Sequence, residues 1–118
     1  MSNDLRDRTK RFALRIVRLY AVLPNSTEAQ VLGKQVLRSG TSIGSHYREA
    51  CRSRSDVEFV SKIDLALQEL DETAYWLELL VEAEIVPALK LGDLLQETDE
   101  LIAIFTTIAR KVKKRSKK

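Results

Sequence analysis

The chain of 118 residues is poor in the residues that mark most other fold classes. A single cysteine, Cys51, excludes an internal disulfide, and nothing points to an oxidising compartment. Four glycines, two prolines and an aromatic share of 6% disfavour a sheet-rich domain with many turns. One histidine excludes the paired Glu-x-x-His motifs by which helix bundles hold two iron or manganese ions. No apolar stretch reaches the roughly 18 residues needed to cross a bilayer. Residues 1–10 are polar and charged, unlike the apolar segment of a secretion signal. A cytoplasmic protein that makes no use of membranes is the expectation.

What is present is helical. Leu, Glu, Lys, Arg and Ala dominate, and these residues lose little side-chain freedom in a helix. Leu5, Phe12, Ile16, Leu19 and Leu23 recur on one helical face and define helix 1, at about residues 3–23. Pro24-Asn25-Ser26 interrupts it, and Ser26 or Thr27 can cap helix 2. Helix 2 runs to about Arg52, with Leu32, Val36, Ile43, Tyr47 and Ala50 inward. Gly33, Gly40 and Gly44 each cost about 1 kcal/mol within it, a cost that close approach of another backbone over Gly40-x-x-x-Gly44 explains.

Ser55-Asp56-Val57-Glu58 forms a capping box opening helix 3. Its expected seam is Val57, Val60, Ile63, Leu67, Leu70, Ala74, Leu77 and Val81, and Val86-Pro87 is expected to end it. Gly92-Asp93 lies near the expected start of helix 4, whose inward set is Leu91, Leu94, Leu101, Phe105, Ile108 and Val112. Short connections join neighbours, so the fold expected is an all-α, antiparallel up-down-up-down four-helix bundle. It occupies residues 1–118 as one domain, with a polybasic tail at 110–118. Residues 74–81 and 101–109 are apolar nearly all round, which predicts homo-oligomerisation through outer faces. Tyr47, Tyr75, Trp76, Leu79 and Leu80 are the expected interface residues.

The net charge of +3 conceals segregation. Residues 1–54 hold 11 basic against 4 acidic side chains, residues 55–109 hold 2 against 13, and residues 110–118 hold 7 basic and none acidic. Arg8, Arg11, Arg15 and Arg18 form a stripe on helix 1, and Lys34 and Arg38 add charge on helix 2. Arg110, Lys111, Lys113, Lys114 and Arg115 crowd the tail. Such arrays neutralise phosphates in complexes with RNA or DNA. They equally complement helix dipoles and pair with acids, so a protein-assembly scaffold stays open as the alternative.

Chemistry of other kinds finds no constellation. Asp64, Asp71 and Glu78 recur at heptad spacing, but pairing with basic neighbours accounts for them without a metal. His46-x-x-Glu49 lacks further converging ligands, so neither metal nor cofactor is expected. His46 and Cys51 point about 140° apart on a helix and make no nucleophile–base pair. The glycines lack the strand and Lys-Ser/Thr ending of a phosphate loop. No catalytic residue emerges.

The stretch Arg38-Ser39-Gly40-Thr41-Ser42-Ile43-Gly44-Ser45-His46-Tyr47-Arg48-Glu49-Ala50 resembles the signature of bacterial four-helix-bundle proteins associated with 23S rRNA intervening sequences. Glu58-Phe59, Ala66-Leu67, Glu69, Asp71-Glu72 and Tyr75-Trp76-Leu77-Glu78-Leu79-Leu80 continue the likeness. It implies a homopentamer of bundles, and a relationship to the accessory variability protein of diversity-generating retroelements, which binds nucleic acid and a reverse transcriptase. It carries no catalytic residues. Members commonly place Asn where this chain has His46.

Overall fold

Two serines set the helix starts. Ser26 Oγ accepts from the Ala29 N–H at 3.4 Å, and Ser55 Oγ accepts from the Glu58 N–H at 3.0 Å, each meeting a donor that the first helical turn leaves open. The computed structural model describes the backbone of residues 2–116 and the side chains of residues 4–116. Four helices fill it: α1 (Ser2–Ala21), α2 (Thr27–Cys51), α3 (Asp56–Glu82) and α4 (Ala88–Ser116). No strand occurs among the described residues, and the bundle is a rod of 52 × 22 × 20 Å.

The α3–α4 connection differs from expectation. Helix α3 stops at Glu82, and Glu84 adopts φ 60°, the left-handed region that reverses a chain. The N–H groups of Ile85 and Val86 then return to the Leu80 carbonyl. Pro87 leads directly into α4 because a helix start leaves its missing N–H without consequence. Gly92-Asp93 lies near the start of α4, in its second turn.

Helix α3 is wedged between α2 and α4, so its buried line is Ile63, Ala66, Leu70, Thr73, Leu77 and Leu80. Val57 is 79% exposed, whereas Val60, Leu67, Ala74 and Val81 are half-buried flanks of that line. The expected seam followed the larger apolar residues and passed over Ala66 and Thr73. On α4, Thr98 and Ala109 take inward places that the apolar pattern does not reveal, and Ile108 is half-buried. Every buried hydroxyl has a partner: Ser39 and Thr73 share a 2.8 Å bond, Thr73 donates to Glu69 O, Thr98 to Leu94 O and Thr9 to Arg6 O.

Helix α2 remains unbroken through its glycines, and α1 lies on them. A Cβ added at Gly40 would stand 2.7 Å from Ile16 Cγ1, and one at Gly44 would stand 3.0 Å from Thr9 Oγ1. Ile16 and Thr9 are themselves fully buried and have nowhere to retreat. Helix α1 thus packs on α2, α2 on α3 and α3 on α4, while α1 and α4 barely meet.

The glycines give a paired test by chemical denaturation. Gly40→Ala is expected to destabilise the fold by about 1–2 kcal/mol, because overpacking outweighs the gain in helix propensity. Gly92→Ala, with nothing within 4 Å of the added carbon, is expected to stabilise by about 0.5–1 kcal/mol.

Candidate nucleic-acid interface

The structure divides the expected basic residues into two sets. Arg8 reaches from α1 to α4, where Nε donates to Glu97 Oε2 at 2.7 Å and Nη2 donates to Glu97 Oε1 and Glu100 Oε1, each at 2.8 Å. Arg38 reaches from α2 to Glu69 at 3.3 Å and Glu72 at 2.6 Å on α3. Arg115 and Lys113 pair with Asp56 and Asp64 of α3, at 2.9 and 3.6 Å. These four cations hold the bundle together, and their charge is already met.

Arg11, Arg15, Arg18, Lys34, Arg110, Lys111 and Lys114 are exposed and carry no ion pair among the described residues. They do not form one patch. Arg15 and Arg18 stand beside the first turns of α4, near Lys90 and Leu94, and Arg110 lies some 20 residues further along that helix. At 1.5 Å per residue this is about 30 Å, beyond the Debye length of roughly 8–10 Å at ordinary salt. The α1 stripe and the end of α4 are two separate basic regions.

Residues 110–116 are the last turns of α4 and not a loose tail. Val112 is buried, and Arg115 and Ser116 hydrogen-bond Asp56. Lys117 and Lys118 lie outside the described residues. Lys90 escaped the sequence reading. It is one of only two basic residues in the acidic stretch 55–109, and the other, Lys62, is 3.7 Å from Glu49.

The expected interface residues also divide. Tyr47 is buried inside the chain, its ring centroid 5.8 Å from that of Phe105, and burial together with a hydrogen bond to Cys51 pushes its hydroxyl up to about 12. Leu80 is fully buried in the same core. Neither offers a surface to a second subunit, which corrects that expectation: both side chains fall on the inner lines of their helices. Tyr75 is 54% exposed, Trp76 and Leu79 are half-buried, and the Trp76 ring meets Tyr75 edge-on.

Between α2 and α3, His46 Nδ1 lies 3.1 Å from Glu49 and Nε2 lies 3.8 Å from Glu69, so the imidazole stands between the Lys62–Glu49 and Arg38–Glu69 pairs. No group of three or more His, Cys, Asp or Glu suited to a metal ion occurs among the described residues. No helix there is long and apolar enough to cross a membrane.

A profile of the 23S rRNA-intervening sequence proteins matches residues 2–107. The chain belongs to that family. A solved member of the S23 ribosomal protein family from Bacteroides thetaiotaomicron, described as of unknown function, is 38% identical and superposes with a TM-score of 0.86. The match covers 92% of this chain and 97% of that one. No curated protein matches. Over this shared intervening-sequence-protein fold, Gly40 and Gly44 of the signature stretch have a packing role, as do Ser39, Ile43, Tyr47 and Ala50.

The Arg8 clasp gives a pH-dependent test. Hydrogen bonds from Arg8 hold the Glu97 carboxyl below its ordinary value against the opposing effect of burial, and the charges of Arg8, Arg15 and Arg11 add to this. A lowered folded value means that the stabilisation is complete above the ordinary 4.5 and is lost as pH falls through the folded value. Glu97→Gln is expected to cost on the order of 1 kcal/mol at pH 7. In urea titrations the gap between the variant and the parent chain should narrow as the pH is taken below 4.5.

Proposed function

We propose that this chain is a non-enzymatic, homo-oligomeric module that binds nucleic acid, RNA first. The observation that carries the reading is the set of exposed cations with no ion pair among the described residues: Arg11, Arg15, Arg18 and Lys34, and apart from them Arg110, Lys111 and Lys114. Their contacts are to phosphates, because no exposed row of aromatic rings stands beside them for base stacking. The family's association with intervening sequences of 23S rRNA supports RNA over other polyanions. The antiparallel, up-down-up-down course is part of this reading. It is supported by the opposed order of contacts along α1 and α2, where Gly33 meets Leu23, Gly40 meets Ile16 and Gly44 meets Thr9.

Self-association has separate support. Trp76 Nε1–H is buried with no acceptor among the described residues, and a donor left so costs about 1–3 kcal/mol. Exposed Tyr75 lies beside it. An acceptor and an apolar cover from a second copy would remove both costs, and five copies is the number the family resemblance implies.

Two measurements test the reading. Anisotropy of a labelled single-stranded RNA, titrated with nuclease-treated protein across salt, should weaken linearly in log–log by about 0.7 per phosphate contact. Arg11→Glu with Arg15→Glu, and separately Lys111→Glu with Lys114→Glu, should each flatten that slope. Charge reversal is preferred to removal of residues 110–118, which would also strip Val112 from the core. An absence of binding at low salt would leave a protein-assembly module as the function.

Trp76, the only tryptophan, reports assembly directly. Its emission should shift to the red on dilution, in step with the mass measured by light scattering, and Tyr75→Asp should dissociate the assembly. A chain that stays monomeric at all concentrations would sink the oligomer reading.

A further inference from the structure

Beyond the Arg8–Glu97 clasp, the seam between α1 and α4 opens into a groove of about 400 Å3 where α1 ends and α4 begins. Leu19, Leu23, Val86, Leu91 and Leu94 supply its apolar lining, and Arg15, Arg18 and Lys90 are the cations on it. None of these three has an ion pair among the described residues. Apolar surface extends outward from the groove: Val22 on its edge is 79% exposed, and Leu89, next to Lys90, is 98% exposed.

The two halves of this surface ask for different chemistry at one place. A phosphodiester strand would satisfy the cations and leave charge lying over an apolar lining, which burial of either penalises. A wholly apolar segment would fill the trough and strip water from Arg18 and Lys90 without giving them a partner. An amphipathic helix with carboxylates beside its apolar stripe meets both requirements. The volume, near the lower end of the roughly 300–1,000 Å3 of ligand clefts, suits a few anchoring side chains from such a helix.

We propose that this groove docks an acidic amphipathic helix of a partner protein. The site shares Arg15 and Arg18 with the nucleic-acid reading and goes beyond it in using Lys90, Val22, Leu89 and the apolar lining. A phosphate contact needs none of those last residues except the lysine.

The experiment uses the full chain and a fluorescein-labelled synthetic helix carrying Leu at i, i+3, i+4 and i+7, flanked by Glu. Two control peptides accompany it: a scrambled isomer without the apolar stripe, and a version with Gln for Glu. The acidic helix is expected to bind at least ten-fold more tightly than either control. Val22→Asp with Leu89→Asp, and separately Arg18→Glu with Lys90→Glu, should each weaken it at least ten-fold. All four positions are exposed, so thermal melts should confirm intact folding.

RNA affinity and subunit number should not change in the Val22→Asp, Leu89→Asp chain. Equal binding of the scrambled peptide, or binding that survives both pairs of substitutions, would overturn the proposal. So would no detectable binding at the highest peptide concentration. Loss of RNA binding in that double variant would make the lining part of the nucleic-acid site, and a change in its subunit number would make it a contact between copies. Either result also overturns the proposal. Failure of RNA binding in the parent chain, with peptide binding intact, would sink the nucleic-acid reading alone.

Discussion

Helix α1 sits where two glycines let it sit. With hydrogen in place of a side chain at Gly40 and Gly44, α2 admits Ile16 and Thr9 to its backbone, and both become fully buried. Any side chain at Gly40 would push Ile16 outward. The close approach draws α1 onto α2 along the middle of the rod, while α4 follows α3. The fourth seam of the bundle, α1 against α4, is consequently the loosest. The two open clefts of that seam, one near Leu23 and Leu91 and one near Leu5 and Ile108, are products of the same packing choice.

Electrostatics closes what packing leaves apart. The first half of the chain is basic and the second half acidic, so cations on α1 and α2 find carboxylates on α3 and α4. Arg8 bridges the loose seam with a two-pronged grip on Glu97, a geometry that a lysine could not reproduce. Arg38 does the corresponding work between α2 and α3, where the helices are already tightly packed and its own side chain is half exposed. The Arg8 pair is the better shielded and bridges the seam that packing secures least, so it is expected to matter more. Arg11, Arg18, Arg110, Lys111 and Lys114 have no ion pair among the described residues, which leaves those cations available to other molecules.

Much of the fold was legible because helix periodicity is a strong signal. Ile63, Leu70 and Leu77 stand at heptad spacing and are fully buried, and Ser26 and Ser55 cap where the sequence places caps. The signal fails where a small or polar residue occupies a core position. Thr73 and Thr98 are inside because a neighbouring hydroxyl or a carbonyl one turn back satisfies them, and Ala66 is inside on the same buried line with only a methyl group to show for it, neither of which an apolar count registers. Val57 is outside because it lies on the face of α3 turned away from the buried line of Ile63, Ala66 and Leu70. The α3–α4 turn was misplaced because a glutamate, not a glycine, takes the left-handed conformation. As for the basic residues, their number was readable and their availability was not. Whether Arg8 or Arg18 is neutralised depends on which helix lies opposite, and that is a property of the packed structure.

His46 shows how the same pairs of charges can accept a change of side chain. It stands between Glu49 and Glu69, with Arg38 beyond one and Lys62 beyond the other. Each carboxylate therefore has a cation of its own whether or not the imidazole is charged. A neutral side chain at this position would leave both carboxylates with their cations. The arrangement places the α2–α3 contact on Arg38, Lys62 and the buried Ser39–Thr73 bond, and makes the imidazole dispensable to it. That independence separates His46 from Gly40 and Gly44 a few residues earlier, where the backbone of α2 admits no comparable exchange.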